Sequence, residues 1–366
     1  MALPPDLGVS LTADDFEDRF LTLHKQLFAS AEFVFNDVCE LVYSPPEGHY
    51  HTDHAVVHGG RQWHDFYVTG NMRIFEQYLA AFRRGDHAEA AKHQGHFAGQ
   101  GHAVGPTLFD LEYKETVAFP SQGDFDIWCR EHPGMFRFAG KWGMVYNTRG
   151  IGPNAVGVAW SDDLVTWEQD ANNPAVTIPN WAMSEMSCKD TYVAEVDGHW
   201  LIYYVVMDAN GYCAIALRST TDWKSFADEG PVMLACSSLR GTMGLESPVV
   251  VHRNGVWHLF YTYGPGTYHA ISRTPAQFVE SRSEYFKAGR GSYCMGSFHA
   301  ADIFTLDGDW WLTSDRKEEA RRLKREAGIL AYRGTWGDEE VTEEGLYLAH
   351  LRWQGDQPIL EKPKRP

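Results

Sequence analysis

Apolar and polar positions alternate along most of this chain, in short runs broken by Gly, Asp and Asn. Such runs predict β-strands joined by tight turns. The runs form a repeated unit: a polar opening, an alternating strand, a turn, an aromatic-rich strand, then a third strand ending in a small polar loop. Four copies are clear. They are Asp53-His-Ala-Val-Val-His-Gly-Gly-Arg-Gln-Trp-His-Asp-Phe-Tyr, Asp190-Thr-Tyr-Val-Ala-Glu-Val-Asp-Gly-His-Trp-Leu-Ile-Tyr-Tyr, Glu246-Ser-Pro-Val-Val-Val-His-Arg-Asn-Gly-Val-Trp-His-Leu-Phe-Tyr and His299-Ala-Ala-Asp-Ile-Phe-Thr-Leu-Asp-Gly-Asp-Trp-Trp-Leu. A looser fifth copy is Pro133-Gly-Met-Phe-Arg-Phe-Ala-Gly-Lys-Trp-Gly-Met-Val-Tyr. The period, on the order of 50–60 residues, is that of a propeller blade. The pattern therefore predicts an all-β, five-bladed β-propeller of four strands per blade around a central channel. A β-sandwich with coincidental turns is the alternative. Leu346 to Trp353 is expected to close the ring with a strand from Phe33 to Tyr43, which removes exposed edges.

Helical periodicity appears in three places. Thr12 caps a predicted first helix, with Phe16, Phe20, Leu23 and Leu27 on one face. A second is predicted over Met72–Ala91, in or after blade one, with Phe75, Tyr78, Leu79 and Phe82 on its apolar side. The charged segment Lys317–Arg325 reads as a short helix or a hairpin tip, its charges paired along a solvated face. The expected division is a helical arm with a closing strand over residues 1–44 and a catalytic propeller over 45–366.

Composition narrows the function. Trp, Tyr and Phe make up 14% of the chain and charged residues only 22%, which excludes a disordered protein. No apolar run reaches the roughly 18 residues of a membrane span. The net charge of −17 opposes nucleic acid, which needs a basic footprint. An acidic enzyme on a neutral substrate, or a sugar binder, fits better. The six cysteines are scattered, with no C-x-x-C pair, and read as reduced thiols. The N-terminus carries no secretory signal, so cytoplasm is the expected compartment.

In a propeller the first strand of each blade lines the axis, so residues opening those strands converge at one mouth. Three openings are carboxylates, Asp53, Asp190 and Glu246, and a fourth is His299 with Asp302 three residues on. Carboxylates sharing a pocket repel, and one is kept protonated while its neighbour stays ionised. Two carboxylates flanking a bond are what glycoside hydrolysis requires, and their separation decides retention or inversion. Each acid alone reads better as a strand-end hydrogen-bonding group, and it is three at the same position of a repeat that favour function.

These segments resemble the five-bladed propeller glycosidases of families 43 and 117 and the related families 32 and 68. Leu245-Glu246-Ser247-Pro248 is similar to the acid motif of family 43, and Lys189-Asp190-Thr191 to the Arg-Asp-Pro motif of families 32 and 68. Gly101-His102-Ala103-Val104 with Asp110-Leu111-Glu112 resembles a stretch that follows blade one in family 32. Ser161-Asp162-Asp163-Leu164-Val165-Thr166-Trp167 resembles a strand end common to all of them. The resemblance implies Asp53 as base or nucleophile, Asp190 as the residue that orients substrate and tunes the acid, and Glu246 as proton donor. It departs at blade one, where Thr52-Asp53-His54 replaces the usual Asp-Pro. Asp37, Asp65 and Asp126 compete with Asp53, and Asp126 is a candidate opening for blade two.

Candidate substrate-binding groups are His54, His102, Trp128, Lys189, His299 and Asp302. His49, His51, His54, His58 and His64 crowd one region, but no H-E-x-x-H or C-x-x-C spacing supports zinc. No cofactor is required. His299 resembles the family 43 histidine that helps hold a structural calcium at the propeller axis, although calcium prefers oxygen ligands. The expected partner is a small carbohydrate or glycoside, with neither nucleic acid nor membrane, and the N-terminal helix is the candidate homodimer contact. The leading reading is a glycosidase cleaving a furanoside-type or small oligosaccharide linkage. Two others keep the fold: a repurposed lyase, cyclase or transferase of specialised metabolism, and a non-catalytic sugar-binding propeller.

Overall fold

The computed structural model describes residues 38–94, 99–117, 120–126, 129–150, 152–182, 188–209, 213–234, 245–263, 266–278, 299–316 and 344–365. Strand β1 (Glu40–Tyr43) comes first in the chain. Blade one then holds β2 (Thr52–His58), β3 (Trp63–Thr69), β4 (Gly99–Gly105) and β5 (Glu112–Val117). Blade two holds β6 (Cys129–Phe138), β7 (Lys141–Arg149), β8 (Ala155–Ser161) and β9 (Glu168–Gln169). Blade three holds β10 (Lys189–Val196), β11 (His199–Met207), β12 (Cys213–Thr220) and β13 (Ala227–Leu234). In blade four the described strands are β14 (Leu245–Arg253), β15 (Val256–Tyr263) and β16 (Gly266–Ser272). Blade five is β17 (His299–Leu306), β18 (Asp309–Arg316) and β19 (Gly345–Gln354), with β1 and β20 (Gln357–Glu361) both pairing on the outer edge of β19. The first strands touch in the cyclic order β2, β6, β10, β14, β17 and back to β2. The architecture is therefore the five-bladed propeller that the repeats predict.

The turn chemistry explains the regularity. First and second strands join through Ala139-Gly140, Asp197-Gly198, Asn254-Gly255 and Asp307-Gly308, all with positive φ at both residues. That is the two-residue hairpin geometry whose twist matches the flanking strands, and it selects Asn or Asp followed by Gly. Ring closure comes from β1, with Glu40 opposite Leu348. No described helix is long and apolar enough to cross a membrane.

Between blades the packing is aromatic. Trp63, Trp160, Trp181 and Trp310 all sit in or against the apolar clusters between sheets. The second and third strands approach closely where an aromatic ring lies over a glycine. Tyr146 stands opposite Gly157, and a Cβ built on Gly157 would fall 2.4 Å from the tyrosine Cζ. Tyr146 is fully buried, and its hydroxyl accepts from Gln169 at 2.8 Å, so the ring has nowhere to go. Gly157→Ala is expected to cost about 2–3 kcal/mol. Gly152→Ala, where a Cβ meets nothing within 4 Å, is expected to change stability by less than about 0.5 kcal/mol. Urea unfolding of the two variants checks the contrast.

The expected single helix over Met72–Ala91 is two, α1 (Met72–Arg83) and α2 (His87–Gln94), inserted between β3 and β4 of blade one. Gly85 has φ 71° and ends the first. Asp86 caps the second by accepting the Glu89 N–H at 3.0 Å. Phe75 of α1 packs on Tyr50 of blade one. The first predicted helix and the Lys317–Arg325 segment lie outside the described residues.

Candidate active site

Every inner strand opens with the same backbone irregularity. The register breaks at Thr52/His54, Glu131/Gly134, Lys189/Tyr192, Glu246/Val249 and His299/Asp302. Inside each break one non-glycine residue is left-handed: Asp53 (φ 45°), His132 (49°), Asp190 (51°), Ser247 (48°) and Ala300 (43°). A bulge bends its strand and re-aims a side chain. Five non-glycine residues held at positive φ mark a strained ring, a feature that clusters at functional sites.

The alignment by backbone sharpens the expectation from sequence. Asp53 and Asp190 share the bulge position, whereas Glu246 stands one residue earlier, level with Thr52, Glu131, Lys189 and His299. Blade two opens with Glu131-His132, not with Pro133 or Asp126. Asp126 sits in the preceding loop, where Ser121, Arg130 and Gln169 donate to it. Asp65 is the buried partner of His51 at 2.9 Å, and Asp37 lies outside the described residues.

The structure brings Asp53, Asp190, Glu246, Lys189 and His299 together. The Ser247 N–H donates to Asp190 Oδ2 at 3.1 Å, which fixes blade three against blade four. Lys189 Nζ lies 3.2 Å from Glu246 Oε1. His132 Nδ1 is 3.9 Å from Asp53 Oδ1 and 3.8 Å from Asp190 Oδ1. His299 Nδ1 is 4.0 Å from Asp53 Oδ1 and 3.0 Å from Asp315. Carboxylates and imidazoles thus alternate around the axis in the order Asp190, His132, Asp53, His299, Asp315. Side-chain exposure is 22% for Asp53 and 28% for Glu246, but 9% for Asp190. Asp53 and Glu246 are thus the more open of the three.

Charge compensates burial here. Burial alone would lower the Lys189 pKa, but Glu246 and Asp190 reverse it and hold the lysine cationic. Burial would likewise lower that of His132, and Asp53 with Asp190 raise it above the ordinary histidine value. A second ion pair joins Arg149 Nε and Glu131 Oε2 at 3.1 Å. Tyr78 of α1 lies within electrostatic range of Arg149, which places the helical insertion beside this part of the site.

Three of the expected substrate contacts are engaged within the protein itself. Asp302 spends both oxygens on backbone, accepting from Val56 at 3.0 Å and Ile303 at 2.9 Å, and so ties blade five to blade one. His54 is buried between the same blades, 2.8 Å from Thr313 Oγ1. His102 is fully buried on β4, stacked on Phe66 and hydrogen-bonded to His64. Trp128 lies outside the described residues. The histidines take separate partners: His51 pairs with Asp65, His64 with His102, and His58 packs against Trp63 with its ring tilted.

Sequence reading missed His132, Glu131, Arg149 and Asp315. The signal for the first two was Glu131-His132-Pro133, which repeats the spacing of Glu246-Ser247-Pro248.

The axial calcium that the resemblance implies does not match this donor set. Asp53, His299 and Asp315 each bring one donor atom within 4.8 Å of the others. Yet both Asp315 oxygens lie 3.0 Å from His299 Nδ1, so that carboxylate is already spent. Calcium takes about six to eight oxygens, and an imidazole with one further carboxylate is not such a cage. A cavity of about 600 Å³ is lined by residues of blades three to five, Glu195, Trp257 and Trp310 among them, and by none of the candidate site residues.

No protein-family profile matches the chain, and no curated protein sequence is detectably similar to it. Solved structures are similar. A Bombyx mori GH32 β-fructofuranosidase superposes with a TM-score of 0.60 at 14% identity, covering 95% of this chain and 70% of that one. A thermostable family-43 glycoside hydrolase gives 0.56 at 14%, covering 88% and 97%. The sucrose-6-phosphate hydrolase of Lactobacillus gasseri gives 0.59 at 13%, covering 96% and 70%. The chain has the fold of the five-bladed propeller glycoside hydrolases. At this identity the likeness is one of fold, and the chemistry has to be argued from the side chains of the propeller's axial mouth.

Proposed function

We propose that the protein is a glycoside hydrolase that cleaves a furanoside-type or small oligosaccharide linkage by carboxylate acid–base chemistry. One observation carries the reading: Asp53, Asp190 and Glu246 gather at one end of the axis, linked through His132, Ser247 and Lys189. Glu246, the most open of the three, protonates the leaving oxygen. Asp53 activates water or attacks the anomeric carbon. Asp190, buried and fixed by Ser247, accepts from sugar hydroxyls and orients the ring. Lys189 supplies the positive charge that keeps this many carboxylates together. The neighbours named β-fructofuranosidase and sucrose-6-phosphate hydrolase favour a furanoside as the first substrate class to try.

A second reading, a lyase, cyclase or transferase on the same scaffold, draws on the two imidazoles that flank Asp53, since histidine exchanges protons near neutral pH. A panel of nitrophenyl furanosides and pyranosides with short oligosaccharides separates the readings. Release of nitrophenol or reducing sugar from at least one furanoside is the expected result. Unsaturated or transfer products would replace hydrolysis with the second reading. Saturable binding with no product across the panel would leave a sugar-binding propeller.

A further inference from the structure

Blade two contributes to the mouth through a residue that the three-carboxylate reading leaves out. We propose that His132 is a positioning residue of this site: an imidazolium clamp that holds the Asp53 and Asp190 carboxylates at a fixed separation across blade two. The proposal rests on the hydrolase reading only for what the clamp positions.

Three observations carry it. First, His132 Nδ1 lies almost midway between the two carboxylates, 3.9 Å from Asp53 and 3.8 Å from Asp190. These are charge contacts, longer than hydrogen bonds. Second, the ring is buried, with 7% of the residue exposed, and Nδ1 has no hydrogen-bond partner. A buried polar nitrogen without a partner is costly unless charge or a ligand compensates it. Third, the backbone is left-handed at this residue, at φ 49°. Histidine tolerates that region better than most side chains, and the bulge is what turns the ring toward the axis. A residue placed only for packing needs neither of the first two; the third is shared with Ala300 and supplies only the direction of the ring.

The groups that face the ring are mostly acidic. Asp53 comes from β2, Asp190 and Lys189 from β10, and Asp302 from β17. The carboxylates outnumber the one ammonium, and the ring is protonated more readily than a free histidine as a result. Two carboxylates of the same charge would otherwise separate. The clamp keeps Asp190 against Ser247 and Asp53 against the path of the attacking water or the anomeric carbon. Displacing a positioned group by about 1 Å can cost about a hundredfold in rate.

The test uses the positive φ. Glycine adopts φ 49° without strain, so His132→Gly removes the ring and leaves a hole of its own shape. The variant is expected to lose about a hundredfold in kcat/KM on the substrate found by the panel, mostly in kcat. Millimolar imidazole is expected to restore at least about tenfold of that loss, which a merely structural role would not allow. His132→Asn also suits the left-handed backbone and carries a neutral amide; it is expected to stay impaired and to be indifferent to imidazole. Independently of turnover, nitrogen-15 NMR of histidine-labelled wild type is expected to give His132 a titration midpoint above about 6.5. In Asp53→Asn/Asp190→Asn the midpoint is expected to fall below that value. A wild-type midpoint at or below the free value overturns the clamp whether or not any glycoside is cleaved. So does a folded His132→Gly protein with wild-type kcat/KM. A raised midpoint with no turnover on any substrate upholds the clamp and sinks the hydrolase reading instead.

Discussion

Glu246→Gln is expected to lower turnover of a nitrophenyl glycoside about a thousandfold, the usual range for removing a general acid, with KM little changed. Gln keeps the shape of Glu and loses only the exchangeable proton and the charge. Lys189 retains Asp190 beside it, so the substitution does not strand a buried ammonium, and the unfolding midpoint is expected to stay close to wild type. The deficit is expected to depend on the leaving group. Dinitrophenolate departs with little protonation, so a dinitrophenyl glycoside should recover much of the lost rate, while an alkyl glycoside or disaccharide should recover none. Wild-type activity across that series would remove Glu246 from the acid role.

The largest expected effect on stability concerns acid. Two buried histidine pairs repeat the same construction in blades one and four. His64 Nδ1 lies 2.9 Å from His102 Nε2, and His258 Nδ1 lies 2.9 Å from His269 Nε2. In each, the third-strand histidine packs on a phenylalanine, Phe66 or Phe260. A single proton bridges each pair, one ring donating and the other accepting. Burial pushes His64 and His258 down to about 4, and His102 and His269 down to about 3. The unfolded chain takes up these protons near pH 6.5, while the folded chain resists until pH 3–4. The unfolded state therefore binds more protons throughout that window, so stability is full above 6.5 and falls as pH drops from 6.5 toward 4. Each unit of displacement is worth about 1.4 kcal/mol. Even with half of that lost to relaxation, the pairs together cost several kcal/mol by pH 4. Urea unfolding at pH 7.5, 6 and 5 is expected to show the fall. Replacing one pair by His258→Leu/His269→Leu removes both polar partners at once, which can be nearly neutral, and should flatten the slope by about half. A stability that is level between pH 7 and 5 would rule the effect out.

The strands, their order and the ring were legible because aromatic alternation and Asp-Gly or Asn-Gly turns write themselves at a fixed interval. The site was legible in part. Asp53, Lys189, Asp190, Glu246 and His299 do meet, because opening residues of inner strands must converge. What alternation could not supply was the bulge. One left-handed residue reverses which side later residues face. His54, directly after Asp53, is therefore sent into the seam beside Thr313, and Asp302 into the backbone of blade one. His132 was hidden by its neighbour. Pro133-Gly134 looks like a turn because proline is excluded from strand interiors, except at bulges, and this proline sits in one. His102 carried a motif resemblance, but its burial against Phe66 follows from the width of the blade, which no short motif encodes.

Ring closure has a consequence for how the protein is made. Glu40 finds its partner Leu348 only after the five blades between them in sequence have left the ribosome. Until then β1 has no sheet to join, and the growing arc of blades ends in an unpaired edge. Blades one to four can fold as they emerge, because each pairs with itself, but the axial mouth cannot. Asp53 meets His299 only when blade five docks against blade one. A nascent chain stalled before Leu348 therefore carries the sheets of blades one to four and an incomplete mouth.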